Sequence, residues 1–189
     1  MTSVGSKARC GAQARSEVTS QTTDRAPFGV ALHRQLKLIH QMLRNDLTAC
    51  QTLAADVAAG AATAQISDRI AELRANSPIW TLQVDCLYHC RVVHMHHGIE
   101  DAEMFPALRR SNPDLGEVVD RLESDHRAIA LLLDQVEATA KELDDASTGA
   151  ARTALVTALR NLATRLLEHL AYEEENIAAT MRSWERWPA

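Results

Sequence analysis

The chain has 189 residues and a formal net charge of -5, long enough for one domain with a sizeable core. Its Lys, Arg, Asp and Glu residues are interspersed, so no basic stripe marks a nucleic-acid binder, and no run of 18 apolar residues could span a bilayer. Lys7 and Arg9 are followed by no apolar stretch of the kind a signal peptide needs, so a cytoplasmic protein with neither nucleic acid nor membrane as partner is expected.

Only 7 Gly and 5 Pro, with 46% apolar but 4% aromatic residues, favour helices over strands. Residues 1–26, rich in Ser, Thr, Gln and Gly without apolar periodicity, read as a disordered leader, and 27–189 as the folded domain. Leu36, Leu43, Leu47, Leu53 and Val57 recur at helical spacing, which predicts a first long helix from Phe28 to about Ala59. Ser67–Ala75 predicts a short extra helix in the connection. The second long helix opens at Pro78, carries Ile79, Leu82, Cys86 and Val93 on its seam, and should end or kink at Pro106. Asn112-Pro113 opens the third, with Val119, Leu122, Ile129, Leu133 and Val136, running to about Asp144. Ser147-Thr148-Gly149 precedes the fourth, with Leu155, Leu159, Leu162 and Leu166, which fades near Met181. The expected fold is all-α, an antiparallel up-down-up-down four-helix bundle.

Each predicted seam is broken by a polar residue, which is costly in a core unless a partner meets it. His40 stands between Leu36 and Leu43, and His126 between Leu122 and Ile129. His96 and Glu100 follow Val93, while His169 and Glu173 follow Leu166. In an up-down bundle the start of the first and third helices and the end of the second and fourth share one end. His40 and His126 then lie about 18 Å up their helices at roughly 1.5 Å per residue, and the other four fall near the same level. Four imidazoles and two carboxylates in one buried layer would cost several kcal/mol, on the order of an unpaired buried charge, if nothing bound them.

The set has nitrogen and oxygen donors and no thiolate, exceeds one tetrahedral zinc, and would leave a single octahedral ion no open position. Two ions bridged by the carboxylates fit better, with iron preferred, manganese second and zinc third. Cys10, Cys50, Cys86 and Cys90 form no CxxC pair and read as reduced thiols. Ferritin-like di-iron bundles carry Glu-x-x-His twice, whereas this chain has it once, at Glu123 and His126.

These residues resemble the hemerythrin family in its HHE cation-binding form. The likeness rests on His40 in IHQMLRNDL, HHGIEDAEMFP from His96 to Pro106, His126 in ESDHR and HLAYEEE from His169 to Glu175. It implies a non-haem di-iron centre, with His40, His96, Glu100, His126, His169 and Glu173 as ligands, that binds or reacts with O2, peroxide or nitric oxide. The oxygen carriers of the family supply two histidines from their third helix as HxxxH, whereas Leu122 and Ala130 stand four residues either side of His126. One imidazole is therefore missing. An exchangeable position in its place favours peroxide chemistry or sensing over simple reversible carriage. Two alternatives follow beside a binder of O2 or a related oxidant: an enzyme decomposing peroxide in the manner of a catalase, and an iron or redox sensor.

Among the remaining candidates, His97 is rotated about 100° from His96, toward a neighbouring helix or solvent, with a substitute-ligand role as the alternative. His33 and His89 fall on their seams about 10 Å from the layer, His94 on the surface. Tyr88 and Tyr172 read as ordinary packing, with a phenol reaching the centre as the alternative. Asp125, Glu103 and Glu174 are candidates to orient ligating imidazoles through the second ring nitrogen. Trp184 and Trp187 are expected to fold against the bundle end, a subunit interface being the alternative.

Overall fold

The structure, a computed structural model, describes residues 26–59, 78–143 and 147–189. The expected leader up to residue 25 and the short helix at 67–75 lie outside the described residues. Every regular element among the described residues is helical. Helix α1 is Phe28–Ala58, and its buried face repeats every three or four residues through Leu36, His40, Leu43, Leu47, Cys50 and Ala54.

Helix α2, Pro78–Ile99, begins at a proline whose missing N–H would have had no helical acceptor. It does not stop at Pro106. A π turn at Glu100–Met104 leads directly into α3, Phe105–Ser111, with Pro106 in the first turn of α3. The wider turn just before the proline gives its ring room and lets the rod continue. It also inserts one residue into the seam, so that Met104, Phe105 and Leu108 are buried while Glu103 faces solvent.

Asn112 then breaks the chain, its side-chain oxygen accepting from the Asp114 N–H at 3.2 Å, and a short 3-10 turn at Pro113–Leu115 leads into α4, Gly116–Lys141. Helix α5, Gly149–Arg182, is capped by Thr148, whose hydroxyl accepts from the Ala151 N–H. The third helix thus ends three residues before the expected Asp144, and the fourth one residue beyond Met181.

Four long helices pack in a ring: α1 on α5, α5 on α4, α4 on α2 and α2 on α1. At one end the Gly29 N–H donates to the Trp184 carbonyl at 2.9 Å. A Cβ on Gly29 would run into the Met181 and Trp184 carbonyl oxygens, so only glycine permits this approach. Trp184 is buried there, its indole N–H donating to Ser111 Oγ at 3.0 Å, and Trp187 packs edge-on against it at 5.6 Å. The indoles fold onto the end of the helices, as the sequence suggests.

The core is two apolar clusters rather than one. The larger holds Leu43, Leu47, Cys86, Ile129, Leu133 and Leu162; the smaller holds Leu36, Phe105, Leu108, Leu122, Ile177 and Met181. The polar breaks in the seams fall at the boundary between them, where Leu36 and Leu43 of α1 belong to different clusters and His40 lies between.

Candidate metal centre

Each long helix delivers its polar seam residues to that boundary. His40, His96, Glu100, His126, His169 and Glu173 are all buried, and His40 and Glu173 are completely so at 0% exposure. His40 Nε2 lies 3.3 Å from Glu173 Oε2, and His169 Nε2 lies 3.7 Å from the same oxygen. Glu100 divides its two oxygens, with Oε1 at 3.3 Å from His96 Nε2 and Oε2 at 3.6 Å from His126 Nε2. His126 Nε2 and His169 Nε2 face each other at 3.1 Å.

His97 also joins this layer. It is only 5% exposed, and its ring stacks on that of His126 with centroids 3.9 Å apart and planes 7° from parallel. Of the orientations the sequence allows, neighbouring helix, solvent or substitute ligand, the structure turns it to the neighbouring helix and into a donor set. The seam of α2 explains its place: measured against Leu82, Cys86, Val93 and Glu100, His96 falls about 55° to one side of the centre line and His97 about 45° to the other. The two straddle the seam. His96 turns toward His40 on α1, ring centroids 5.1 Å apart, and His97 toward His126 on α4. Comparing both residues with the seam's centre, rather than His97 with His96, was the signal in the sequence that could have found it.

The donors fall into two sets: His97, Glu100, His126 and His169 form one, and His40, His96, Glu100 and Glu173 the other, with ligand atoms in each within 4.8 Å of one another. Glu100 belongs to both. Neither oxygen of Glu100 or Glu173 has a hydrogen-bond partner, and neither has Nε2 of His40, His96 or His97. Buried polar atoms are seldom left so. A cluster of orphaned nitrogen and oxygen donors aimed at two shared points fits a pair of cations, because coordination satisfies all of them together.

The electrostatics agree with that fit. Burial pushes His96 down to about 4, with the nearby His40 ring adding to it, and burial also lowers His97, His126 and His169. In each of them burial thus favours the neutral form, which a ligand must have. Burial, then the adjacent Glu173, raises Glu100 well above the ordinary carboxylate range; a cation would reverse that shift.

Further carboxylates surround the layer. Glu174 Oε1 accepts from His40 Nδ1 at 2.9 Å and from Arg44 Nη1 at 2.8 Å. Burial alone would raise its pKa, but these two hydrogen bonds leave it lower than usual. Asp125 accepts from Arg165 at 2.6 Å and stands 3.9 Å from His169 Nδ1, too far for a hydrogen bond. Glu103 is exposed because of the π turn, and Asp101, which the sequence reading did not single out, accepts from His126 Nδ1 at 2.8 Å.

Residues 84–180 match the model of the hemerythrin HHE cation-binding domain, just over half of the chain. The chain belongs to the hemerythrin HHE family. No similar curated protein and no similar solved structure was found. The matched segment of this hemerythrin-like chain takes in every candidate ligand except His40, which α1 brings in from outside it.

The other candidates lie away from the layer. Tyr88 is exposed, and Tyr172 is half-buried beneath the Arg121 guanidinium, 3.7 Å from the ring centroid. His94 is on the surface. His89 is buried with neither ring nitrogen hydrogen-bonded, and His33 is half-buried. Cys50, Cys86 and Cys90 are free thiols buried in the larger apolar cluster. A hydrogen bond with Cys50 and burial raise Cys86, and burial pushes Cys90 up to about 12, so both stay protonated and add no soft ligand.

Proposed function

We propose that this hemerythrin-like protein is a cytoplasmic non-haem di-iron protein that binds or reacts with a small oxidant: O2, peroxide or nitric oxide. The observation that carries the reading is the shared Glu100, one carboxylate whose two oxygens serve two separate donor sets. His40, His96, Glu100, His126, His169 and Glu173 are the proposed ligands, with Glu100 bridging and Glu173 Oε2 placed between His40 and His169. His97 is proposed as a seventh ligand, supplying from α2 the imidazole absent from α4. The scaffold is proposed as an antiparallel up-down-up-down bundle, a reading supported by Gly29 meeting Trp184 and by Gln83 Nε2 donating to the Ala140 carbonyl at 2.9 Å. No described helix is long and apolar enough to cross a membrane.

The two positions are unequal. Three imidazoles and Glu100 serve one, and two imidazoles, Glu100 and Glu173 serve the other. Imidazole and carboxylate ligands with open positions suit iron over manganese or zinc, and iron supplies the redox chemistry with small oxidants. Burial favours the neutral form of His96, His97, His126 and His169, and the two proposed carboxylate ligands lie out of water between two apolar clusters. With His97 in place of the missing imidazole, the open position that favoured peroxide turnover is no longer required, and binding of O2 or nitric oxide becomes the leading reading.

Metal analysis and mixing experiments test it. Protein from iron-supplemented cells should carry about two irons per chain, and its optical spectrum should change on exposure to O2 or nitric oxide. Well under one iron per chain, with zinc or nothing instead, sinks the reading. Rapid mixing with peroxide decides the chemistry: a single stoichiometric oxidation supports a binder, and sustained O2 evolution replaces it with a peroxide-decomposing enzyme.

A further inference from the structure

An imidazole binds a metal through one nitrogen only when its proton sits on the other, so whatever accepts from the second nitrogen selects the tautomer. Among the described residues, two candidate ligands donate to a carboxylate outside the donor sets, and they serve different sets. His40 Nδ1 donates to Glu174 and belongs with His96, Glu100 and Glu173; His126 Nδ1 donates to Asp101 and belongs with His97, Glu100 and His169. His40 Nε2 is left facing Glu173 Oε2, and His126 Nε2 is left inside its donor set, 3.6 Å from the shared Glu100 and 3.1 Å from His169 Nε2.

We propose that Glu174 and Asp101 are positioning residues, one for each metal position, that hold His40 and His126 with the proton on Nδ1 and Nε2 free to ligate. The inference rests on the two-metal reading above. The carboxylates are held differently. Glu174 shares its Oε1 with Arg44, which locks it across α1 and α5, and is one-fifth exposed at the side chain. Asp101 lies in the π turn beside the ligand Glu100, with its side chain 47% exposed. The seal is therefore tighter at His40 than at His126. Asp125 is the natural comparison: an acid beside a ligand imidazole and more deeply buried than Glu174 or Asp101, it is engaged by Arg165 and leaves His169 Nδ1 without a hydrogen bond.

The test uses the full chain with cobalt(II) alone as the probe. Affinity is read by competition with a chelator, and the paramagnetically shifted imidazole N–H resonances by proton NMR. Glu174→Ala and Asp101→Ala should each lower cobalt affinity by about 10- to 100-fold. Each should also cost one slowly exchanging N–H resonance. Glu174→Gln and Asp101→Asn keep an acceptor without its charge and should lose only about three- to tenfold, which carries the test if an alanine variant does not fold. Asp125→Asn should leave the N–H resonances of His40 and His126 in place. Wild-type affinity and an unchanged N–H spectrum in variants of Glu174 and Asp101 overturn the proposal. So does a loss that matches a fall in metal-free melting temperature and is equal in the amide and alanine variants. Failure of the wild-type chain to take up cobalt overturns the two-metal reading and this inference together; uptake with indifferent variants overturns this inference alone.

Discussion

His89 and His96 lie one heptad apart on α2, are both buried, and have opposite surroundings. His96 meets His40 of α1 and Glu100 of the π turn, and shares a donor set with Glu173 of α5. His89 is 1% exposed beside the apolar cluster, with both ring nitrogens unpartnered and Asp46 as the charged group that acts on it. A buried imidazole on a seam is therefore no site by itself. What separates the two regions is convergence: in the polar layer each donor set gathers ligand atoms from three of the long helices, and among the described residues His89 belongs to no such set.

Four experiments would break or sharpen that contrast. The largest effect is expected at Glu100, because both donor sets use it. Metal-loaded wild type should melt about 10 °C above the metal-free protein, from roughly 3–4 kcal/mol of ligand stabilisation at a few °C per kcal/mol. Glu100→Ala should abolish that difference and leave a metal-free protein no less stable than the wild type, since a buried carboxylate has been removed. Calorimetry with and without iron reads both, and an iron-replete variant would remove Glu100 from the centre.

His97→Ala comes next. It should weaken one metal position about 10- to 100-fold, of the size seen for losing a supporting metal-site group, and shift stoichiometry from two toward one. Two tightly held metals in that variant would return His97 to mere packing. Gly29→Ala tests the scaffold instead of the layer: the clash with the Met181 and Trp184 carbonyls should cost about 1–3 kcal/mol of stability with metal stoichiometry unchanged.

The smallest effect belongs to His89→Leu. Replacing an unpartnered buried polar group by an apolar one should change stability at pH 8 by no more than about 1 kcal/mol, in the stabilising direction. The pH dependence has a definite sign. Burial holds folded His89 below its ordinary 6.5, so the unfolded chain takes up a proton first as pH falls through that value, and the folded state loses stability below it. The leucine variant should lose less on going from pH 7 to pH 5 in metal-free melts; an identical acid loss would mean that His89 titrates alike folded and unfolded.

Much of this was legible in the chain itself. Pro78, Asn112-Pro113 and Thr148-Gly149 mark helix starts because each uses local chemistry that needs no tertiary partner. The polar breaks at His40, His96, Glu100, His126, His169 and Glu173 stand out because an apolar stripe has a fixed period, and the structure gathers all six in one layer. Continuation of the rod through Pro106 was not legible. It depends on the π turn, which no local preference announces, and which moves Glu103 out to solvent and brings Phe105 to stack near His126 at 5.0 Å.

Sequence alone thus determined the helices, the family likeness and the level at which polar residues interrupt the core, since periodicity and rise per residue are properties of a single helix. Only the tertiary structure decided the membership of the layer at its margins: His97 inside it, Asp101 rather than Glu103 beside His126, and His89 outside it. The physical reason is that those choices turn on rotations of tens of degrees between packed helices. A π turn or a neighbouring ring can make such a rotation, and the spacing of residues along one helix cannot record it.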